Sequence, residues 1–336
     1  MLNELEKIIL ATVVYYDALS LPLRAEEIFA CLINPKRLGG RSDFSVEFSD
    51  IFIYLSNLKN GSLSGFLESK DGFYFLKNKE QLVSARRERQ KISILKWKKA
   101  KRALWLLGHV PYVRMVLLAG SVSQDNAKES SDIDILIVSK EGRIWMCRML
   151  ATLILSLLKK RRSDRGQMTH ELVKDKICLN HYITESSLHI PFHSMYNAQS
   201  YIFLVPVVEN KKGLFEKFQK ENSWIEDYIM RYPASKANHK KILIRKIRLV
   251  GPQKVLEGTL EIIGGNFFER KAERIQKKRI EKNMPPDLNR GRIIYNDKFL
   301  EFHPSSQEAA ILDDYNKKML KFNINGFVFE KNSGLN

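Results

Sequence analysis

Residues 113–138 read VRMVLLAGSVSQDNAKESSDIDILIV: an apolar segment, Gly120-Ser121, a polar stretch, and a second apolar segment opened by Asp132-Ile133-Asp134. Two strands are expected, one on each side of the polar stretch. Residues two apart in a strand point to one face, so Asp132 and Asp134 present carboxylates side by side while Ile133 and Ile135 face the core. Ionised groups at the front of such a strand need a cation or a partner. Mg2+ takes oxygen ligands and keeps waters or phosphate oxygens in its shell, so the pair reads as a site for Mg2+ or Mn2+. Gly120 lets the backbone approach a phosphate closely, and Ser121 with neighbouring N–H groups offers it hydrogen bonds.

Ala119-Gly120-Ser121, ten residues, then Asp132-Ile133-Asp134-Ile135 resembles the signature of the polymerase β-like nucleotidyltransferase superfamily. The resemblance covers Val113 to Thr184 and leaves both flanks unexplained. It implies transfer of a nucleoside monophosphate from a nucleoside triphosphate to an acceptor, with release of pyrophosphate. Asp132 and Asp134 would be metal ligands and catalytic residues, and Gly120 and Ser121 would hold the triphosphate. Lys140 and Arg143 in the following SKEGR turn, and Arg148 beyond it, offer positive charge to the phosphates. Relatives carry a third carboxylate on a neighbouring strand, but the next strand, ICLNHYI at 177–183, contains no acid. Glu185 just past it is the first candidate for the third catalytic carboxylate, then Asp175. Asn180 or His181 would otherwise stand at that position.

Upstream, residues 3–18, 24–33 and 46–58 show helical apolar spacing, and two short strand-like runs around Asp71-Gly72 form a hairpin. Three helices and a hairpin resemble a winged-helix domain, although the third helix carries Glu47 and Asp50 where a DNA-reading helix would carry cations. A scaffolding or protein-contact role is expected of it rather than sequence-specific DNA binding. A basic helix follows at 79–107, with Leu82, Ile92, Leu95 and Leu104 available for a buried stripe. Downstream, 213–231 and 253–282 read as helices, Pro285-Pro286 as a boundary, and 292–302 as a last hairpin. The expected class is α+β: a small mixed β-sheet core with flanking helices over 109–200, a winged-helix-like domain over 1–78, a helical connector over 79–108, and a mainly helical C-terminal region over 201–336.

Hydrophobic residues at 44% and charged residues at 28% describe an ordinary folded chain. The 56 Lys plus Arg against 38 Asp plus Glu, a formal charge of +18, favour an anionic partner such as RNA or DNA. Three scattered cysteines without CxxC spacing argue against a disulfide scaffold, and the early acidic residues argue against a secretory signal, so a cytoplasmic location is expected. The apolar run from Ile144 to Leu158 contains Arg148 and falls short of the ~20 residues that span a bilayer. The basic run Lys159 to Arg162 after it offers anionic lipid a contact at most. Walker, nucleophile-elbow and HExxH patterns are absent from the sequence. The alternative to an enzyme is a catalytically silent protein of the same fold that binds nucleic acid or regulates.

Overall fold

Strands that are apolar at nearly every position suit a sheet covered on both faces. In the computed structural model, which describes residues 2–41, 43–162, 174–233, 251–284, 291–304, 306–324 and 326–333, the stretch 113–138 supplies two of them. These are β3 (Val113–Leu118) and β4 (Ile133–Ser139), paired antiparallel with Leu117 opposite Leu136. The crossover helix α6 (Ile144–Leu157) then leads to β5 (Ile177–Thr184), parallel to β4. β6 (Val205–Glu209) lies antiparallel along β3, and the hairpin of β7 (Arg292–Tyr295) and β8 (Phe299–His303) adds β8 antiparallel to β5. The mixed sheet runs β6-β3-β4-β5-β8-β7.

Alternation along the strands sorts side chains between two cores. Val116, Leu118, Ile133, Ile135 and Ile137 bury against α4 (Gln81–Leu107) and α6. Met115, Leu117, Leu136, Val138 and Ile183 bury on the other face with α1 (Glu4–Ala18), α7 (Met195–Tyr201) and α10 (Glu308–Lys321). Each such side chain contributes about 1.5–3 kcal/mol by burial. Asp132 and Asp134 share the parity of Leu136 and Val138, so they project towards the side that carries the N-terminal helices.

The N-terminal region contains α1, α2 (Ala25–Ala30), α3 (Phe48–Ser56) and the hairpin β1 (Leu67–Lys70) and β2 (Phe73–Leu76). Asp71 and Gly72 turn the hairpin at φ of 54° and 77°, the positive values that a two-residue loop requires. An Asn3–Glu6 capping box starts α1, and Ile8 through Tyr16 are buried on every side. This region therefore shares its core with the sheet. Asp17 at the end of α1 is paired with Lys79 at 2.7 Å and with Lys318 of α10 at 2.6 Å.

The buried stripe of α4 differs from the expected one: Leu104 is buried, but Leu95 is 55% exposed, and Arg86, Ser93 and Lys96 face inward. Those polar groups hold the loop between Ser121 and Asp132. Arg86 donates to the Gln124 carbonyl at 3.2 Å, and Lys96 to the carbonyls of Glu129 and Ser131 at 2.8 Å each. Ala127 N–H donates to Ser93 Oγ at 3.0 Å. Part of the basic connector is thus an internal clamp.

Beyond residue 200 helices prevail, in α8 (Leu214–Glu221), α9 (Pro252–Lys282) and α10, but β6, β7 and β8 return to the sheet from the same region. The sheet continues past the boundary placed at 200. The 213–231 helix is realised as α8 and a 3-10 turn at Ser223–Asp227, and α9 bends at Gly264, φ 136°. Pro285-Pro286 lies outside the described residues. Among those residues no helix is long and apolar enough to cross a membrane, and Cys31, Cys147 and Cys178 are free thiols.

Candidate metal centre

Gly120 begins the single-turn helix α5 (Gly120–Ser123) at φ 65°, a conformation that costs residues with a side chain roughly 1–2 kcal/mol. A Cβ there would overlap Asp134 Oδ2 and stand 3.1 Å from Asp134 Cβ and Cγ. Ala119 N–H donates to the Asp134 carbonyl at 2.9 Å, fixing the end of β3 against the start of β4. The glycine is needed for its φ and for the carboxylate beside it. Ser121 follows it at the mouth of the same turn, half-buried.

Asp134 lies opposite Cys178 in the parallel register, and β5 then bulges, Leu179 and Asn180 facing Ile135 alone before His181 meets Leu136. A bulge re-aims side chains, and this one brings Asn180 to the acid pair, its Nδ2 3.5 Å from Asp134 Oδ1 and 3.3 Å from His303 Nδ1. Ligand atoms of Asp132, Asp134 and Cys178 lie within 4.8 Å of one another. Burial, and then the neighbouring Asp132 charge, push the Asp134 carboxyl up to about 7, against the pull of Arg162 and Asn180. Burial of Tyr196 on α7, followed by the charge of Asp134, raises that phenol to about 12.

Arg162 is a member of the site that the sequence did not reveal. A main-chain bridge between Arg161 and Ile177 lays residues 160–162 along the start of β5. From there Arg162 Nη1 forms an ion pair with Asp132 and approaches Cys178 Sγ at 3.7 Å. The end of the Lys159–Arg162 run is turned into the protein rather than towards a surface. Cys178 and His303 were also missed. Only the pairing of β5 with β4 and β8 brings them here, and nothing local in the sequence announces it.

Several expected residues are elsewhere. Glu185 is not brought to the acid pair: parallel pairing carries it to the far end of β5, roughly 20 Å along the strand from Cys178, where it pairs with Lys211 at 2.7 Å and Arg114 at 3.8 Å. Asp175 is held by Lys96 at 2.8 Å and Lys99 at 2.6 Å, which keep its carboxyl low despite burial. Lys140 and Arg143 lie beyond the far end of β4 and both pair with Glu261 of α9, so they do not face Gly120. Arg148 donates to Gln276 at 2.6 Å and covers the Phe302 ring at 4.7 Å, tying α6 to α9. His181 packs on Phe299 with centroids 5.1 Å apart, and burial lowers it to about 4, which suits a core histidine and not a general base.

The donor set fits a divalent cation: two carboxylates and a thiol whose ligand atoms lie within 4.8 Å of one another, one carboxylate destabilised as an anion, and a neighbouring backbone that no Cβ obstructs. Compared with known families, residues 89–250 match the model of the nucleotidyltransferase domain, the stretch that contains β3, β4 and β5. Comparisons with curated proteins and with solved structures each return no match.

Proposed function

On a chain that carries a nucleotidyltransferase domain, we propose that the acid pair at the start of β4 supports transfer of a nucleoside monophosphate from a nucleoside triphosphate to an acceptor, releasing pyrophosphate. The observation that carries this reading is Asp134, a half-buried carboxyl raised to about 7, beside a second acid and under a glycine that only just clears it. A divalent ion such as Mg2+ or Mn2+, when bound, would neutralise charge on the reacting phosphate. Asp132 and Asp134 hold that ion, Asn180 orients Asp134, and Gly120 with Ser121 lets the triphosphate lie against the backbone. Arg162 pairs with Asp132.

The acceptor proposed is a polyanion, RNA or DNA. Exposed cations Lys98, Lys101 and Arg102 on α4 and Arg270, Arg274 and Lys278 on α9 support it. Retention on RNA or DNA should fall steeply with salt, and affinity indifferent to salt removes this acceptor. Incubation with α-labelled nucleotides and mixed acceptors tests the reaction: label is transferred by the native chain and lost in Asp132→Ala and Asp134→Ala. Transfer that survives both substitutions removes the site. The Arg162–Asp132 pair favours one second reading, a silent member of the fold, which predicts no transfer to any acceptor.

A further inference from the structure

The acid-free β5 leaves the third ligand position open, and the two acids nearest in sequence are bound to lysines and an arginine. What stands against Asp134 across the parallel register is a thiol. Cys178 is 8% exposed, and its Sγ lies with the oxygens of Asp132 and Asp134 in one group no more than 4.8 Å across. The other cysteines, Cys31 and Cys147, are buried in separate cores.

We propose that Cys178 Sγ is the third protein ligand of this centre and makes it selective for thiophilic divalent ions, Zn2+ and Co2+ ahead of Mn2+, and Mn2+ ahead of Mg2+. The proposal rests on the metal-binding reading above and deepens it. Mg2+ is hard, demands near-ideal octahedral oxygen coordination and gains little from sulfur, whereas two carboxylates and a thiolate suit the softer ions. An Asp at 178 would give the all-oxygen set; the cysteine here is a departure with a chemical consequence. Arg162 fits the same account. Its guanidinium is paired with Asp132 and lies 3.7 Å from Cys178 Sγ, so one cation already bridges the two groups that would share a metal. Binding of the ion requires that side chain to swing aside, which frees it for a phosphate.

Absorption spectroscopy of the full chain titrated with Co2+ reads the ligand directly, without turnover. The expected result is an intense near-ultraviolet sulfur-to-cobalt charge-transfer band that saturates with the weaker visible bands. Cys178→Ser should abolish the ultraviolet band and weaken Co2+ binding at least about tenfold, since even outer-shell partners of a metal are worth 10–100-fold. Cys178→Asp should lack the band and bind Mg2+ more tightly than the native chain. Co2+ binding without the band, abolished by Asp134→Asn yet unchanged by Cys178→Ser, overturns the role of Cys178 and leaves the metal reading standing. A band that persists in Cys178→Ser belongs to another cysteine and overturns it equally. Failure of Co2+, Mn2+ and Mg2+ to bind, with or without nucleoside triphosphate, overturns both.

Discussion

Asp132 and Asp134 stand at the leading end of β4, Asp132 just before the strand and Asp134 within it; at its trailing end Lys140 and Arg143 follow it, and carboxylates at the two ends respond in opposite directions. Asp134 is pushed up to about 7 by burial and by Asp132, while Arg143, with Lys140, holds Glu261 of α9 down at about 2. Among the described residues, one end sets two carboxylates against one paired arginine, Arg162. The other has a carboxylate with two cations and nothing left to bind. Charge that the fold leaves uncompensated marks the place where a ligand completes the structure, and the well-paired end fastens α9 to the sheet.

The sharpest way to break this contrast is to neutralise each end in turn. Asp134→Ala is expected to lower label transfer about 1000-fold or more, because a metal site contributes several kcal/mol to the transition state. Glu261→Gln should leave transfer within about twofold, and an equal loss at both ends would end the distinction.

The next largest effect is on stability against pH. A carboxyl raised above its unfolded value of about 3.9 favours folding below that value, and the advantage is lost as pH rises through about 7. His181 and His303, both lowered to about 4 by burial, act the other way: they favour the fold above about 6.5 and lose that contribution as pH falls through about 4. The effect is therefore read as a difference. Without metal, the native chain should become less stable relative to Asp134→Asn as pH rises from about 4 to about 7, by a few kcal/mol. A pH-independent difference in urea unfolding contradicts the assignment.

Gly120→Ala should cost about 1–2 kcal/mol in the same unfolding measurement from φ alone, with weaker divalent binding because the new Cβ displaces the Asp134 carboxylate. Arg162→Ala should tighten divalent binding about fivefold, its partly buried ion pair with Asp132 being worth roughly 1 kcal/mol; unchanged or weaker binding would mean that Arg162 does not compete. The smallest effect is the stability cost of Glu261→Gln, at most about 1 kcal/mol, since its pairs are partly solvated.

Most of what was legible is local. Near-continuous apolar runs made β3 and β4 readable, the two-residue repeat of a strand put Asp132 and Asp134 on one face, and Asp71-Gly72 announced its hairpin. β6 went unread because Pro206 interrupts VPVVE, yet β6 is an edge strand, where a missing N–H is tolerated. Leu95 was placed inside on helical spacing, whereas Arg86 and Lys96 took the inward face because loop carbonyls receive them. The site divides in the same way. Gly120 and the acid pair lie within one short stretch, but Cys178, Asn180, Arg162 and His303 meet only through strand pairing, bulge and crossover. Glu185 shows the limit most clearly. Nearness to a strand says nothing about which end of it faces the chemistry until the pairing direction is known.

The burial of α1 has a consequence for how the protein is made. Ile8 through Tyr16 lie in a core completed by Ile311, Leu312 and Tyr315 of α10, a helix that begins 290 residues after α1 ends. At roughly 5–20 residues per second, a ribosome takes on the order of 15–60 s to produce that partner. Throughout that interval the face of α1 that packs on α10 waits for its partner, while α2 and β2 cover other parts of its apolar surface as soon as they are made.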